Sequence, residues 1–289
     1  MTPHDFDYLR RMLKERSGLV LSAEKDYLLE SRLLPLARKH GMTTLTELIA
    51  KLKSPLAVTL AADVVDAMTT NETFFFRDRI PFDHLRDTII PALVAARSRE
   101  KRIRIWCTAA ASGQEPYSIA MLLKSLGAQL NGFRVDILAT DLSADVIERA
   151  KLGIYSQFEV QRGLPIQLLV KYFGKNGDAW EIAPDLRSMV QFRTLNLLND
   201  FSPLGQFDVV FCRNVLIYFD QPTKIGVLER IARQMPEDGY LTLGAAETVV
   251  GLTDCFVPAP DRRGLYMRNG AARRAPPFGG NVTRLAIKA

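Results

Sequence analysis

Apolar positions divide the 289-residue chain into two regimes. As far as residue 69 they recur every three or four positions, which places them on one face of a helix. Phe6, Leu9, Met12 and Leu13 form one such stripe, and Leu28, Leu29, Leu33, Leu34 and Leu36 form another that starts near Ser22. Pro35 removes a backbone donor from the second stripe, so a kink or an end is predicted there. Gly41 suits the left-handed position just past a helix. Further helices are predicted over Leu45–Leu52 and, opened by Ser54-Pro55, over Leu56–Met68. Nothing in this part alternates as a strand does.

A link, Thr69–Asp78, and a helix over Pro81–Arg97 lead into the second regime. From Ile103 onward, apolar and β-branched runs alternate with helical patterns. Ile103–Cys107, Val135–Thr140, Val190–Thr194, Phe207–Cys212 and Tyr240–Gly244 read as strands of a mostly parallel sheet covered on both faces. Gly264–Arg268 follows a short connection without a helical pattern and is expected to run antiparallel at or near the sheet edge. Gly174–Gly177 is a turn signal before the short apolar run at Trp180–Ile182, which predicts a small inserted hairpin. The expected organisation is a helical domain over 1–69, a linker and connecting helix over 70–100, and an α/β domain over 101–270. The hairpin falls near 174–190, and a basic, unstructured tail occupies 271–289.

Composition narrows the picture. The net charge is +6, but residues 262–289 hold seven Lys/Arg and no acid. Removing those seven from 38 leaves 31 basic against 32 acidic groups. The body is near neutral, so the charge is poor support for nucleic-acid binding. No apolar stretch approaches the ~20 residues of a membrane helix, and the N-terminus lacks signal-peptide order. Cys107, Cys212 and Cys255 are odd in number and far apart, as expected for free thiols in a reducing cytoplasm. No metal site is expected, and a monomer is the default state.

The chemistry concentrates at Ile103–Asp141. A strand runs into Thr-Ala-Ala-Ala-Ser-Gly-Gln-Glu-Pro and then a helix, and the next strand ends in Thr140-Asp141. That outlines a nucleotide-type pocket at the carboxyl edge of a parallel sheet. The small residues Ala109–Gly113 let a ligand approach the backbone. Glu115 stands where a phosphate would meet repulsion, so a cationic ligand such as S-adenosylmethionine fits better than a dinucleotide. Asp141 is placed to accept ribose hydroxyls or, more plainly, to cap the helix near Ser143.

Five blocks occur in one order: Asn71–Arg77, Trp106–Ser118, Ala139–Asp141, Asn196–Leu198 and Phe211–Phe219. Together they resemble the chemotaxis receptor methyltransferases, the CheR family, over residues 1 to about 269. The resemblance implies a Rossmann-like methyltransferase sheet behind a small all-α domain. It further implies transfer of a methyl group from S-adenosylmethionine to receptor glutamates, leaving S-adenosylhomocysteine. It places cofactor contacts at Asn71, Thr73, Arg77, Glu115, Asp141, Asn196, Leu197, Arg213 and Asn214. In that frame Glu115 receives the methionyl ammonium, Asn196 meets adenine and Leu197 packs on its face. Arg77 pairs with the cofactor carboxylate or with the substrate glutamate, and Tyr218 reaches toward the methyl acceptor. Phe219 is assigned to packing, as are Phe74, Phe75 and Phe76. Arg32, Arg38 and Lys39 read as a solvated helix face or as a docking face for the cytoplasmic helical domains of chemoreceptors. Gly244-Ala245-Ala246-Glu247 replaces the family's common Gly-His-Ser-Glu, which leaves no histidine for a role there. The hairpin is short for a region that grips a receptor tether in some members, so tether binding stays open. A glutamate acceptor is already ionised at neutral pH, with a reference pKa of about 4.3, so no general base is required. The three histidines, His4, His40 and His84, all precede the sheet. The competing readings are a methyltransferase with another acceptor and a catalytically silent receptor-docking module.

Overall fold

The computed structural model describes residues 2–22, 24 and 26–269; the expected basic tail lies outside them. Helix α1 (Pro3–Ser17) opens with a capping box, in which Thr2 and Asp5 satisfy each other's backbone donors, and Gly18 closes it at φ 78°. Helix α2 (Asp26–Lys39) runs on through Pro35. The expected break does not occur because Pro35 and the carbonyl it frees, that of Ser31, lie on the exposed side, while Leu29, Leu33 and Ala37 are buried on the other. Helix α3 (Leu45–Leu52) matches its prediction. Helix α4 (Val58–Met68) starts two residues late, since Leu56 projects into solvent. Leu9, Leu13, Leu29, Leu33, Leu48 and Val64 form the fully buried centre of this all-α unit.

After the link, α5 (Ile80–His84), a π-helical turn (Leu85–Ile89) and α6 (Ile90–Ala96) make up the connecting helix. The wide turn gives Pro91 room, because in a regular helix its ring meets the carbonyl four residues back.

The main sheet holds seven strands in the order β6-β2-β1-β7-β8-β10-β9. Strands β1 (Arg102–Thr108), β2 (Arg134–Asp141), β6 (Val190–Thr194), β7 (Val209–Cys212) and β8 (Tyr240–Leu243) are parallel. Strand β10 (Leu265–Arg268) is antiparallel to β8 and near the edge, both as expected, one strand in from the edge itself. That place belongs to β9 (Phe256–Pro258), a three-residue strand too short to leave a sequence pattern. Helices α7 (Gln114–Ser125), α8 (Ala144–Leu152) and α12 (Gln221–Arg233) connect the parallel strands. The β6–β7 crossover carries only a 3-10 turn at Ser202–Leu204.

Residues 154–187 form an insertion: β3 (Ile154–Ser156), α9 (Gln157–Gln161), α10 (Ile166–Tyr172), β4 (Phe173–Asn176), β5 (Ala179–Ile182) and α11 (Pro184–Arg187). The expected hairpin is β4–β5, and β3 joins it to make a three-stranded antiparallel sheet. The insertion is therefore larger than its pattern suggested.

Alternation along β1 separates two cores. Ile103, Ile105 and Cys107 face a cluster with Phe75, Phe82 and Tyr117. Trp106 faces a second cluster with Phe201, Phe207 and the buried side of α12. Cys107 and Cys212 are free and buried, and burial pushes both thiols up. Among the described residues no helix is long and apolar enough to cross a membrane.

Candidate active site

Strand order reverses between β1 and β7, so a crevice opens at the carboxyl ends of the strands there. The turn leaving β1 is strained, with Ala109 at φ 50° and Ala111 at φ 46°. Asp141, at the end of β2, holds it: Oδ2 accepts the Ala111 N–H at 2.8 Å and Oδ1 accepts the Ser143 N–H at 3.0 Å. Ser143, not Asp141, caps α8 through the Val146 N–H. Burial raises the Asp141 carboxyl, against the pull of those amides. Gly113 is small for a reason other than ligand approach: a Cβ there would lie 3.0 Å from the Ala150 Cβ and 3.2 Å from the Tyr155 hydroxyl. The alanines, not the glycine, line the crevice.

Glu115, in the first turn of α7, is buried, and Oε2 accepts from Arg213 Nη1 at 2.6 Å. Arg213 Nη2 reaches Asp78 at 2.7 Å and the Arg77 carbonyl at 3.0 Å. Burial pushes the Glu115 carboxyl up, and the adjacent guanidinium opposes the rise. Glu115 is thus an ion-pair partner before it is a ligand for an ammonium. Its Oε1 takes no hydrogen bond from the described residues.

The loop after β7 is shaped by a residue outside the five sequence blocks. Glu247 accepts the backbone N–H groups of Gly244 and Asn214 at 2.8 Å each, Val215 at 3.0 Å and Ile217 at 3.3 Å. It holds Asn214 at φ 58° and so aims Arg213 and Tyr218. Gly244 gives the loop room: a Cβ would stand 2.8 Å from Asn214 Nδ2 and Glu247 Oε2 and 3.0 Å from the Asn214 backbone N. A glycine followed three residues on by an acid, just past a strand, was the available signal. Phe219 packs as expected, buried beneath Gly18.

The link closes one side. Phe75 is fully buried, edge-on to Tyr155 and Phe173, and Phe76 packs on Phe82. Phe74 instead stays half-buried between the guanidinium groups of Arg77 and Arg162, 5.6 and 4.5 Å from its ring centre. Arg77 Nη1 donates to the Glu72 carbonyl at 3.0 Å, and Asn71 Nδ2 donates to Thr69 Oγ1 at 3.2 Å. The all-α unit closes the other side. Asn196 Nδ2 donates to the Arg16 carbonyl at the end of α1 (2.6 Å), and its Oδ1 accepts from Leu198 N–H at 2.9 Å. One donor and one acceptor of that amide are therefore already committed.

Arg32 is already engaged within the chain. Its guanidinium donates to the Met68 and Thr69 carbonyls at 2.8 and 2.9 Å and to Thr70 Oγ1 at 3.1 Å, so it caps α4 and steadies the link. Arg38 and Lys39 are exposed.

The resulting cleft encloses about 950 Å³, its open mouth included. Asn71, Thr73, Arg77, Glu115, Asp141, Asn196, Leu197, Arg213, Asn214 and Tyr218 all line it, together with Ser17 and Leu19 of the all-α unit. Its charged lining is Glu72, Glu115 and Asp141 against Arg77 and Arg213. An excess of one negative charge suits a donor that combines a sulfonium and an ammonium with a single carboxylate.

Comparison with known proteins follows the same division. The family model described as CheR methyltransferase, all-alpha domain, matches residues 4–69, and that described as CheR methyltransferase, SAM binding domain, matches residues 71–264. Chemotaxis protein methyltransferase 1 of Pseudomonas aeruginosa is 43% identical over 258 residues, 87% of this chain and 93% of that protein. Chemotaxis protein methyltransferase 1 of Vibrio cholerae is 40% identical over 249 residues, 85% of this chain and 90% of its own. The chemotaxis protein methyltransferase of Borreliella burgdorferi is 37% identical over 253 residues, covering 85% and 89% respectively. With both domains matched in order and nearly the full length of these relatives spanned, the chain belongs to the CheR family of S-adenosylmethionine-dependent chemotaxis methyltransferases.

Proposed function

We propose that the protein methylates glutamate side chains on the cytoplasmic helical domains of chemoreceptors, giving glutamate methyl esters and S-adenosylhomocysteine. The observation that carries this reading is the convergence of the nine candidate cofactor residues and Tyr218 on one cleft between the all-α unit and the sheet. When bound, S-adenosylmethionine supplies an electrophilic methyl group on a positively charged sulfur. Asp141, pre-oriented by two backbone amides, accepts the ribose hydroxyls. Glu115 offers Oε1 to the ammonium while Arg213 keeps the carboxylate charged. Leu197 packs on the base, and Asn196 meets its edge with its uncommitted hydrogen and lone pair.

The acceptor needs no deprotonation, because a glutamate is ionised well below neutral pH. The chain therefore has to align and enclose. Arg77 sits at the cleft beside the link and takes either the donor's carboxylate or the incoming glutamate. Tyr218 lines the same cleft from the β7 loop and would offer its hydroxyl to the acceptor. Enclosure between the two units sheds water from the carboxylate and holds the reacting atoms in line, about 3–3.5 Å apart.

The test is direct. Receptor fragments incubated with the protein and methyl-labelled donor should gain base-labile methyl esters on glutamates, mapped by mass spectrometry. Base-stable N-methyl products would exclude the carboxylate acceptor. Failure to bind S-adenosylhomocysteine at micromolar concentration would instead favour a silent docking module.

A further inference from the structure

A second cleft lies on the sheet face that the β6–β7 crossover leaves without a helix. Strand alternation puts Arg102 and Arg104 of β1 on the Trp106 side. Register adds Arg134 beside Arg102, Asp136 beside Arg104 and, from β6, Arg193 beside Thr140. These side chains and the ring of Phe207 line a compact hollow of about 570 Å³, its mouth included.

Charge is badly balanced there. Asp136 serves both Arg102, at 2.6 Å, and Arg134, at 2.7 Å. Arg104 lies over the Phe207 ring and spends Nη1 on the Gln206 carbonyl and Nη2 on the Leu204 carbonyl, groups that carry no charge. Its Nε is buried without a partner. The Arg193 side chain has no hydrogen-bond or ion-pair partner among the described residues. Among the lining residues four guanidinium groups thus share one carboxylate; the nearby Asp208 is engaged by Arg97 and by the Arg104 backbone N–H. Burial, reinforced by the charges of Arg102 and Arg193, pulls Arg104 below its usual value. Crowding of like charges around a cavity is relieved by a multivalent anion.

We propose that this hollow binds a small diphosphate-bearing anion, at a site separate from the methyl-donor cleft. Guanidinium forks match phosphate oxygens bidentately. A lone carboxylate would neutralise only one of the three excess charges. The hollow is compact, which suits a small ligand better than the extended track that a nucleic acid requires.

Calorimetry on the full chain tests this, with sodium pyrophosphate as probe, ionic strength held constant and S-adenosylhomocysteine saturating the first cleft. Expected is saturable one-to-one binding that weakens at least tenfold in Arg193→Gln and in Arg134→Gln. Affinity for S-adenosylhomocysteine should stay within twofold in both variants. Heats that sodium chloride reproduces, or pyrophosphate binding that neither substitution changes, would overturn the proposal. So would retention on anionic vesicles without saturation by pyrophosphate, which would assign the arginines to a membrane surface.

Discussion

Asp141 shows how one carboxylate can hold a turn and still present free acceptors to the cleft. Two of its lone pairs hold Ala111 and Ser143, and two remain. Asp141→Asn should weaken S-adenosylhomocysteine binding by about 1–3 kcal/mol, the cost of losing a charged acceptor, as read by calorimetry. The pH dependence has a definite sign. The free protein's carboxyl is raised, and the ligand's hydroxyls favour its ionised form. Affinity should therefore fall with acidification from a higher pH than an ordinary aspartate would give, and the Asn variant should lose that dependence. Glu247 is the counterpart on the next loop. Glu247→Gln exchanges one acceptor oxygen for a donor facing backbone donors, and each N–H left unpaired costs about 1–3 kcal/mol. Urea unfolding should register the loss, and kcat should fall more than donor affinity because the Arg213–Tyr218 loop is misaimed. Asp141 was legible from sequence because it ends a strong strand pattern. Glu247 was noticed only as part of a motif departure, since its role depends on four amides that its local sequence does not announce.

Among the elements, legibility followed length and periodicity. Leu45–Leu52 and Val190–Thr194 were readable to the residue. Strand β9 was not, because three residues carry no alternation. The passage through Pro35 depended on which side of α2 faces water, a tertiary fact. The link is the element whose shape least resembles a propensity. Phe76, Asp78 and Arg79 all adopt positive φ. What sustains it lies far away in the chain: Ser118 Oγ accepts the Phe76 N–H, and Gly163 lets the Phe75 carbonyl approach. A Cβ at Gly163 would stand 2.1 Å from that oxygen, and the residue sits at φ 84°. Gly163→Ala should destabilise the fold by at least about 1–3 kcal/mol from backbone strain alone. It should also lower S-adenosylhomocysteine affinity by displacing Asn71 and Thr73; thermal unfolding and calorimetry on the same sample check both.

At the scale of the molecule, the basic cluster on α2 divides in two. Arg32 looks inward to the end of α4 and the link, whereas Arg38 and Lys39 look outward. Arg32→Ala should weaken donor binding several-fold in the absence of any receptor. Arg38→Glu with Lys39→Glu should leave donor binding intact and raise the KM for receptor fragments; identical effects of the two changes would contradict the division. The sequence presented all three as one charged face, because helical spacing gives position on a stripe but not which neighbours fill it. Both units wall the cleft: Ser17 and Leu19 stand on one side, the sheet edge on the other, and the Val20 amide is bonded to the Tyr218 carbonyl at 2.9 Å. A ligand seated there would work as a rivet. Severed halves would each present only part of a socket, and under the proposed function a filled socket would stiffen the posture in which α2 meets a receptor. By thermodynamic reciprocity, whatever factor a seated donor adds to the grip on a receptor, a gripped receptor returns to the donor.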